Sequence, residues 1–202
     1  MQENQIVTSM NFSLPKWIQE ELACWPTHLP STNEQMRLAI ALSRKNVEHK
    51  TGGPFGAIVI DESTGLVLSV GVNRVEHTNC SLLHAEAVAL MLAQQRINGF
   101  DLGGPGMPRR KLVTSAQPCV QCFGNIHWSG IWAMAIGATK GDVETLTGFD
   151  EGPLHPNWRE ELRAQGLSLE EEVMRREASA VLRYYRESGG FIYQGRRSKP
   201  LG

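Results

Sequence analysis

No stretch of this 202-residue chain stays apolar for the ~20 residues that a membrane-spanning helix needs, so a helical membrane protein is excluded. Charge of either sign is equally short of a surplus. Twenty Lys and Arg stand against 21 Asp and Glu, a formal net charge of −1 at pH 7. Nucleic-acid affinity rests on basic groups set against phosphates, and no basic surplus or arm is present, so no nucleic-acid partner is expected. Four cysteines in a chain of this length do not make a disulfide framework. The first ten residues lack the apolar core of a secretory leader, and a cytoplasmic location is the resulting expectation. There is no internal repeat and no low-complexity segment. What remains is a chain that is 41% hydrophobic, enough for one sizeable core and one domain.

The pattern alternates strands with helices. Residues 12–29 read as a helical arm anchored by Trp17, Ile18, Leu22 and Trp25, within an N-terminal extension of residues 1–30. Ser31 with Glu34 three residues on forms a capping-box pattern, opening a helix to about Glu48. Strands at 57–60 and 66–70 flank a turn and form a hairpin. Further helices are expected at 84–97, 157–165 and 175–187, and strands at 111–115, 132–136 and 167–173; 99–108 and 141–153 read as loops. Strands alternating with helices specify an α/β layered domain over residues 31–202, and the early hairpin makes its sheet mixed.

Two short segments carry the chemistry: His84-Ala85-Glu86 and Pro118-Cys119-Val120-Gln121-Cys122. They supply one imidazole, two thiols and a carboxylate that need not be a ligand. Cys119 and Cys122 are one helical turn apart, and Pro118 suits a helix start, where the dipole favours thiolates. Three protein ligands leave the fourth tetrahedral position of zinc to water, the arrangement of a catalytic rather than a structural site. A closed structural site would need a fourth ligand from Cys24, Cys80, His77 or His127. The two helix starts are expected to face each other across adjacent parallel strands, at the strands' carboxyl ends. The H-x-E and P-C-x-x-C pair is the signature of zinc-dependent deaminases, in which the glutamate moves protons.

The chain resembles the cytidine deaminase-like superfamily from about Ser31 to Tyr193, within it the branch of guanine and tRNA adenosine deaminases. The stretches that carry the resemblance are Gly52 to Ala57, Asn73-Arg74-Val75, His84 to Ala87, Thr114 to Cys122 and Gly148 to Pro153. The run from Ser115 to Gly124, Trp128-Ser129-Gly130 and Asn157-Trp158 are similar to guanine deaminases that also take triazines such as ammeline. Gln117, Asn125 and His127 depart from that pattern; the family usually has Glu at position 117.

The resemblance implies a three-layer α/β/α fold with a mixed five-stranded sheet, a Zn2+ cofactor and a homodimer. It implies His84, Cys119 and Cys122 as metal ligands, Glu86 as proton shuttle, and Asn73, Phe55, Ala85 and Ser115 as substrate contacts. Glu151 is assigned to catalysis and to ring N–H donors such as those of guanine, which adenine lacks at the equivalent edge. The segment 190–195 is similar to a C-terminal flap. The activity implied is hydrolytic deamination of a free nucleobase or triazine, first of all guanine to xanthine; a nucleoside or cytosine deaminase and a tRNA adenosine deaminase are the alternatives.

Overall fold

The computed structural model describes residues 6–194. A five-stranded sheet in the order β2-β1-β3-β4-β5 forms the middle layer. Its strands are β1 (Gly56–Asp61), β2 (Val67–Val72), β3 (Arg110–Ala116), β4 (Ala133–Ala138) and β5 (Ser168–Glu170). β1 runs antiparallel to both β2 and β3, whereas β3, β4 and β5 are parallel. The sheet is therefore mixed, as the hairpin predicts, and five-stranded, as the resemblance implies. The helices are α1 (Trp17–Leu22), α2 (Thr32–Glu48), α3 (Val75–Thr78), α4 (Ala85–Ile97), α5 (Val120–Ser129), α6 (Lys140–Thr147), α7 (Trp158–Ala164) and α8 (Arg175–Glu187).

Period-two alternation sorts the strands onto two cores. Ala57 and Val59 of β1 face the cluster that holds Ala85 and Ala89 of α4, Ile126 of α5 and Trp158 of α7. Ile58 and Ile60 face the other side, against Met36, Leu38 and Leu42 of α2. Trp17, Ile18 and Leu29, from the N-terminal segment, belong to this second cluster, and His28 bridges to Leu66. A Cβ at Gly71 of β2 would collide with the backbone of Ala85 and Ala89, so this glycine lets α4 lie directly on the sheet. The Ser31–Glu34 capping box opens α2 as expected. Among the described residues no helix is long and apolar enough to cross a membrane.

Four expectations need correction. The arm expected to be helical over 12–29 is helical only at Trp17–Leu22. The segment 141–153 is not mostly loop, because Thr139 and Asp142 form a second capping box that starts α6. The strand expected at 167–173 shrinks to Ser168–Glu170, since it is an edge strand that pairs only with Ala133 to Ala135. The strands that deliver the two motifs, β2 and β3, are not adjacent; β1 lies between them. Two antiparallel pairings in succession nevertheless make β2 and β3 point the same way.

Arg175, at the start of α8, grips Asp142 of α6 with two nitrogens, Nε to Oδ2 at 2.7 Å and Nη2 to Oδ1 at 2.9 Å. Hydrogen bonds from Arg175 and Thr139 hold the Asp142 carboxyl at about 2, below the usual carboxylate range. A lowered folded pKa contributes stability above the unfolded value, lost as pH falls through the folded one. The stability difference between wild type and D142N should therefore shrink as pH falls from about 4 to about 2. Urea denaturation of both proteins across that window checks it; a pH-independent difference would contradict the assignment.

Candidate active site

The site forms along one edge of the sheet. The carboxyl ends of β2, β3 and β4 lie there, together with the amino end of β1. Phe55 precedes β1, Asn73 follows β2, and Gln117 to Cys119 follow β3. His84 is the N-cap of α4 and Cys119 the N-cap of α5. Both have extended backbone, and neither side chain caps its own helix. Their side chains turn toward each other instead.

His84 Nδ1 lies 3.4 Å from Cys119 Sγ and 3.5 Å from Cys122 Sγ. The three ligand atoms are all within 4.8 Å of one another. Tetrahedral zinc with Zn–N near 2.0–2.1 Å and Zn–S near 2.3 Å sets its nitrogen and sulfur ligands roughly 3.6 Å apart, so the trio fits the ion. Among the described residues, neither Cys24, Cys80, His77 nor His127 joins this group.

Among the protein groups alone, the charges are strongly coupled. A hydrogen bond from the Cys122 thiol, with further help from His84, brings Cys119 down to about 4. The same bond, with burial, drives Cys122 far up. Burial by itself would lower His84, but its bond to Cys119 and the charges of Glu86 and Cys119 outweigh that and raise it. Burial, then the Cys119 charge, pushes Glu86 up to about 7. Burial, then Cys119 and Glu86, pushes Glu151 up to about 8. Two carboxylates and a thiolate thus crowd a site whose one cationic partner among them is an imidazole, a donor set suited to a divalent cation.

Phe55, Asn73, His84, Glu86, Cys119 and Glu151 line a single cavity of about 200 Å³. Ala85 and Ser115 lie outside this lining. Ala85 is buried under β2, and the Ser115 hydroxyl accepts from Gly56 N–H, fixing β1 against β3. Asn73 is buried and its orientation is imposed. Its Oδ1 accepts from Gly53 N–H and Val75 N–H, while its Nδ2 donates to Tyr193 Oη at 2.7 Å. Gly52 leaves room for the Asn73 backbone, which a Cβ there would strike.

The cavity is also lined by Phe149 and Gln117, to which the sequence assigns no contact, and by Tyr193 of the flap-like tail. Phe149 stands tilted to Phe55 and edge-on to Tyr193, with ring centroids 5.4 and 5.0 Å away. Phe149 was findable, being two residues from Glu151. Tyr193 comes from the tail, 120 residues after the Asn73 it meets, and no local pattern announces that contact. Gln117 lines the cavity and accepts from the backbone N–H of Lys140. The other two departures lie away from it: Asn125 faces an outer groove with Trp128, and His127 packs edge-on against Trp128. Of the tail read as a flap, residues 190–194 are described; Gly195 lies outside the described residues.

Residues 30–138 match the cytidine and deoxycytidylate deaminase zinc-binding region. The chain belongs to that family. It is a zinc-dependent deaminase, similar to guanine deaminases. A solved guanine deaminase from Nitrosomonas europaea is 37% identical, with 91% of this chain and 99% of that one covered and a TM-score of 0.84. The protein NE0047, solved in complex with 2,6-diaminopurine, is 39% identical over 93% of this chain and 98% of that one, also at 0.84. A probable cytosine deaminase of Schizosaccharomyces pombe is 34% identical over 58% of this chain and 68% of its own length.

Metal analysis of the purified protein should return one zinc per chain. H84A and C122S should each lower that occupancy sharply, because removing one of three ligands leaves an incomplete site. Full zinc occupancy in both variants would show that the ion is held elsewhere.

Proposed function

We propose that the chain catalyses hydrolytic deamination of a free aminated base, with guanine and water giving xanthine and ammonia. The observation that carries this reading is the meeting of Glu86 and Glu151 with His84, Cys119 and Cys122 around one small cavity. Zinc bound by the trio supplies a Lewis acid that brings the pKa of water toward ~7. Glu86, two residues from a ligand and buried, would carry the two protons of the attacking water in turn, the first to a ring nitrogen as the C–O bond forms and the second to the amine as the C–N bond breaks and ammonia leaves. Glu151 accepts from ring N–H groups of the base. Asn73 offers only donors to the cavity, because two backbone N–H groups already hold its oxygen. With one Nδ2 hydrogen on Tyr193, the other is directed at an acceptor of the base. Phe55, Phe149 and Tyr193 supply flat apolar walls.

Size favours a free base over a nucleoside. The cavity is below the ~300–1,000 Å³ usual for drug-sized ligands, and the Tyr193 ring stands beside Asn73 where a ribose would need room. The purine reading also draws on the near-complete coverage of the guanine deaminase and of the diaminopurine complex. We place the protein in the cytoplasm, where reducing conditions keep both site cysteines as thiols or thiolates. We also propose a homodimer formed through the outer face of α4 and α5. Leu82 and Trp128 are exposed there, beside Leu90, Met91, Gln94, Gln121 and Asn125. That groove carries no charge, and its amides both donate and accept, as a self-complementary interface requires. Light scattering should give twice the chain mass, and a W128E variant should give one.

Ammonia release from guanine, ammeline, guanosine, cytosine, cytidine and adenine tests the substrate. Guanine should be fastest, with guanosine and adenine near background. E86Q should keep its zinc and lose ~10²–10⁴-fold in turnover. E151Q should keep zinc and lose guanine turnover, since a charge-assisted hydrogen bond becomes a neutral one. Faster release from cytosine or a nucleoside would replace the substrate and keep the chemistry. No release from any of the six by zinc-loaded protein would reject the reading.

A further inference from the structure

We infer that Lys140 is the positioning residue for Glu151: its ammonium holds the carbonyl of Gly152 and so fixes the loop that aims the Glu151 carboxylate into the cavity. The inference rests on the deaminase reading above and concerns how that site is assembled.

Glu151 sits in an irregular segment between α6 and α7, with no regular element of its own to hold it. Two contacts from other elements hold the backbone at and just after Glu151. Val120 N–H, in the first turn of α5, donates to the Glu151 carbonyl at 3.2 Å. Lys140 Nζ donates to the Gly152 carbonyl at 2.6 Å. Lys140 also donates its own backbone N–H to Gln117 Oε1 at 3.1 Å, and Gln117 stands two residues before the ligand Cys119. One residue therefore ties the metal-bearing strand end to the loop that carries the second carboxylate.

Lys140 is placed against its local interest. It is the first residue of α6, where the helix dipole disfavours a cation. A local rule broken in this way marks a site where something other than helix stability is served. Glu144, 3.4 Å away on the next turn, offsets part of the cost. The Thr139–Asp142 capping box starts the helix without help from the lysine side chain. Folding of α6 and placement of the loop are thus separable tasks.

The test compares K140M, K140R and K140Q in wild-type and E151Q backgrounds. Single-turnover rates of guanine deamination keep slow variants readable, alongside zinc content and thermal midpoint. K140M should keep its zinc and its midpoint and lose on the order of 10²-fold in rate, the scale of a 1 Å misplacement in a catalytic geometry. K140R, which still donates to the carbonyl, should recover most of that. In the E151Q background K140M should cost nothing more, because the group it positions is already gone. Wild-type rates in K140M, or the same loss in both backgrounds, would overturn the inference while leaving the deaminase reading intact. Unfolding of both K140M and K140Q would make Lys140 a structural residue and also overturn it. A wild-type protein inert on every base would overturn both readings together.

Discussion

The site depends on the antiparallel placement of one strand. β1 lies between β2 and β3 and opposes both, so those two strands run the same way and end at the same edge. β4 continues in that direction. Every residue of the trio and its surroundings then leaves the sheet within one narrow zone. Phe55 enters it at the start of β1, Asn73 at the end of β2, Gln117 at the end of β3 and Lys140 after β4. Had β1 paired parallel to either neighbour, the His84 and Cys119 helix starts would lie at opposite edges of the sheet, and no cluster of ligands could form.

Two helix N-caps are spent on this arrangement. A good side-chain cap is worth about 1 kcal/mol, and neither α4 nor α5 has one. Histidine and cysteine occupy the capping positions, with their side chains turned outward to a shared point. The amino-terminal N–H groups of both helices add positive potential to a cavity that holds Cys119, Glu86 and Glu151. That potential and one imidazole do not balance three acidic groups in a buried place. Burial first, and the Cys119 charge second, raises both Glu86 and Glu151, and a divalent cation held by the trio would offset that charge.

Much of the fold could be read from the sequence because its signals are local. The Ser31–Glu34 box, the strand alternation of β1 and the span 175–187 of α8 each follow from residues within a few positions of one another. The signal for α6 is weak because one glycine and two threonines stand among its eight residues and its Thr139–Asp142 box carries Asp where Glu or Gln is usual. The neighbours of β3 could not be read locally at all, since pairing order is set by packing over the whole sheet. At the site, the metal trio was legible because ligand spacing is itself a sequence pattern. The Ser115 hydroxyl on the site-bearing strand β3 accepts from Gly56 N–H and so serves the sheet, a contact that no local pattern announces. The contacts of Tyr193 with Asn73 and of Lys140 with Gly152 have no local signal, because one partner is distant in sequence and the other is a backbone atom.

The molecule divides its labour along the chain. The family-matched region, residues 30–138, contains the whole metal trio and Glu86, and so the groups that would activate water and move protons. Glu151, Phe149 and Tyr193 lie beyond it. They are held by a separate network: Tyr185 Oη donates to the Phe191 carbonyl, Gln194 Nε2 to the Gly148 carbonyl, and Phe149 packs on both Tyr185 and Tyr193. α8, packed on α6 and β4, is the base from which this network reaches back to Asn73. On the proposed function, changes in this region would alter which ring is admitted without touching the metal: the loop at 148–153 and Tyr193 line the cavity but supply none of the three metal ligands.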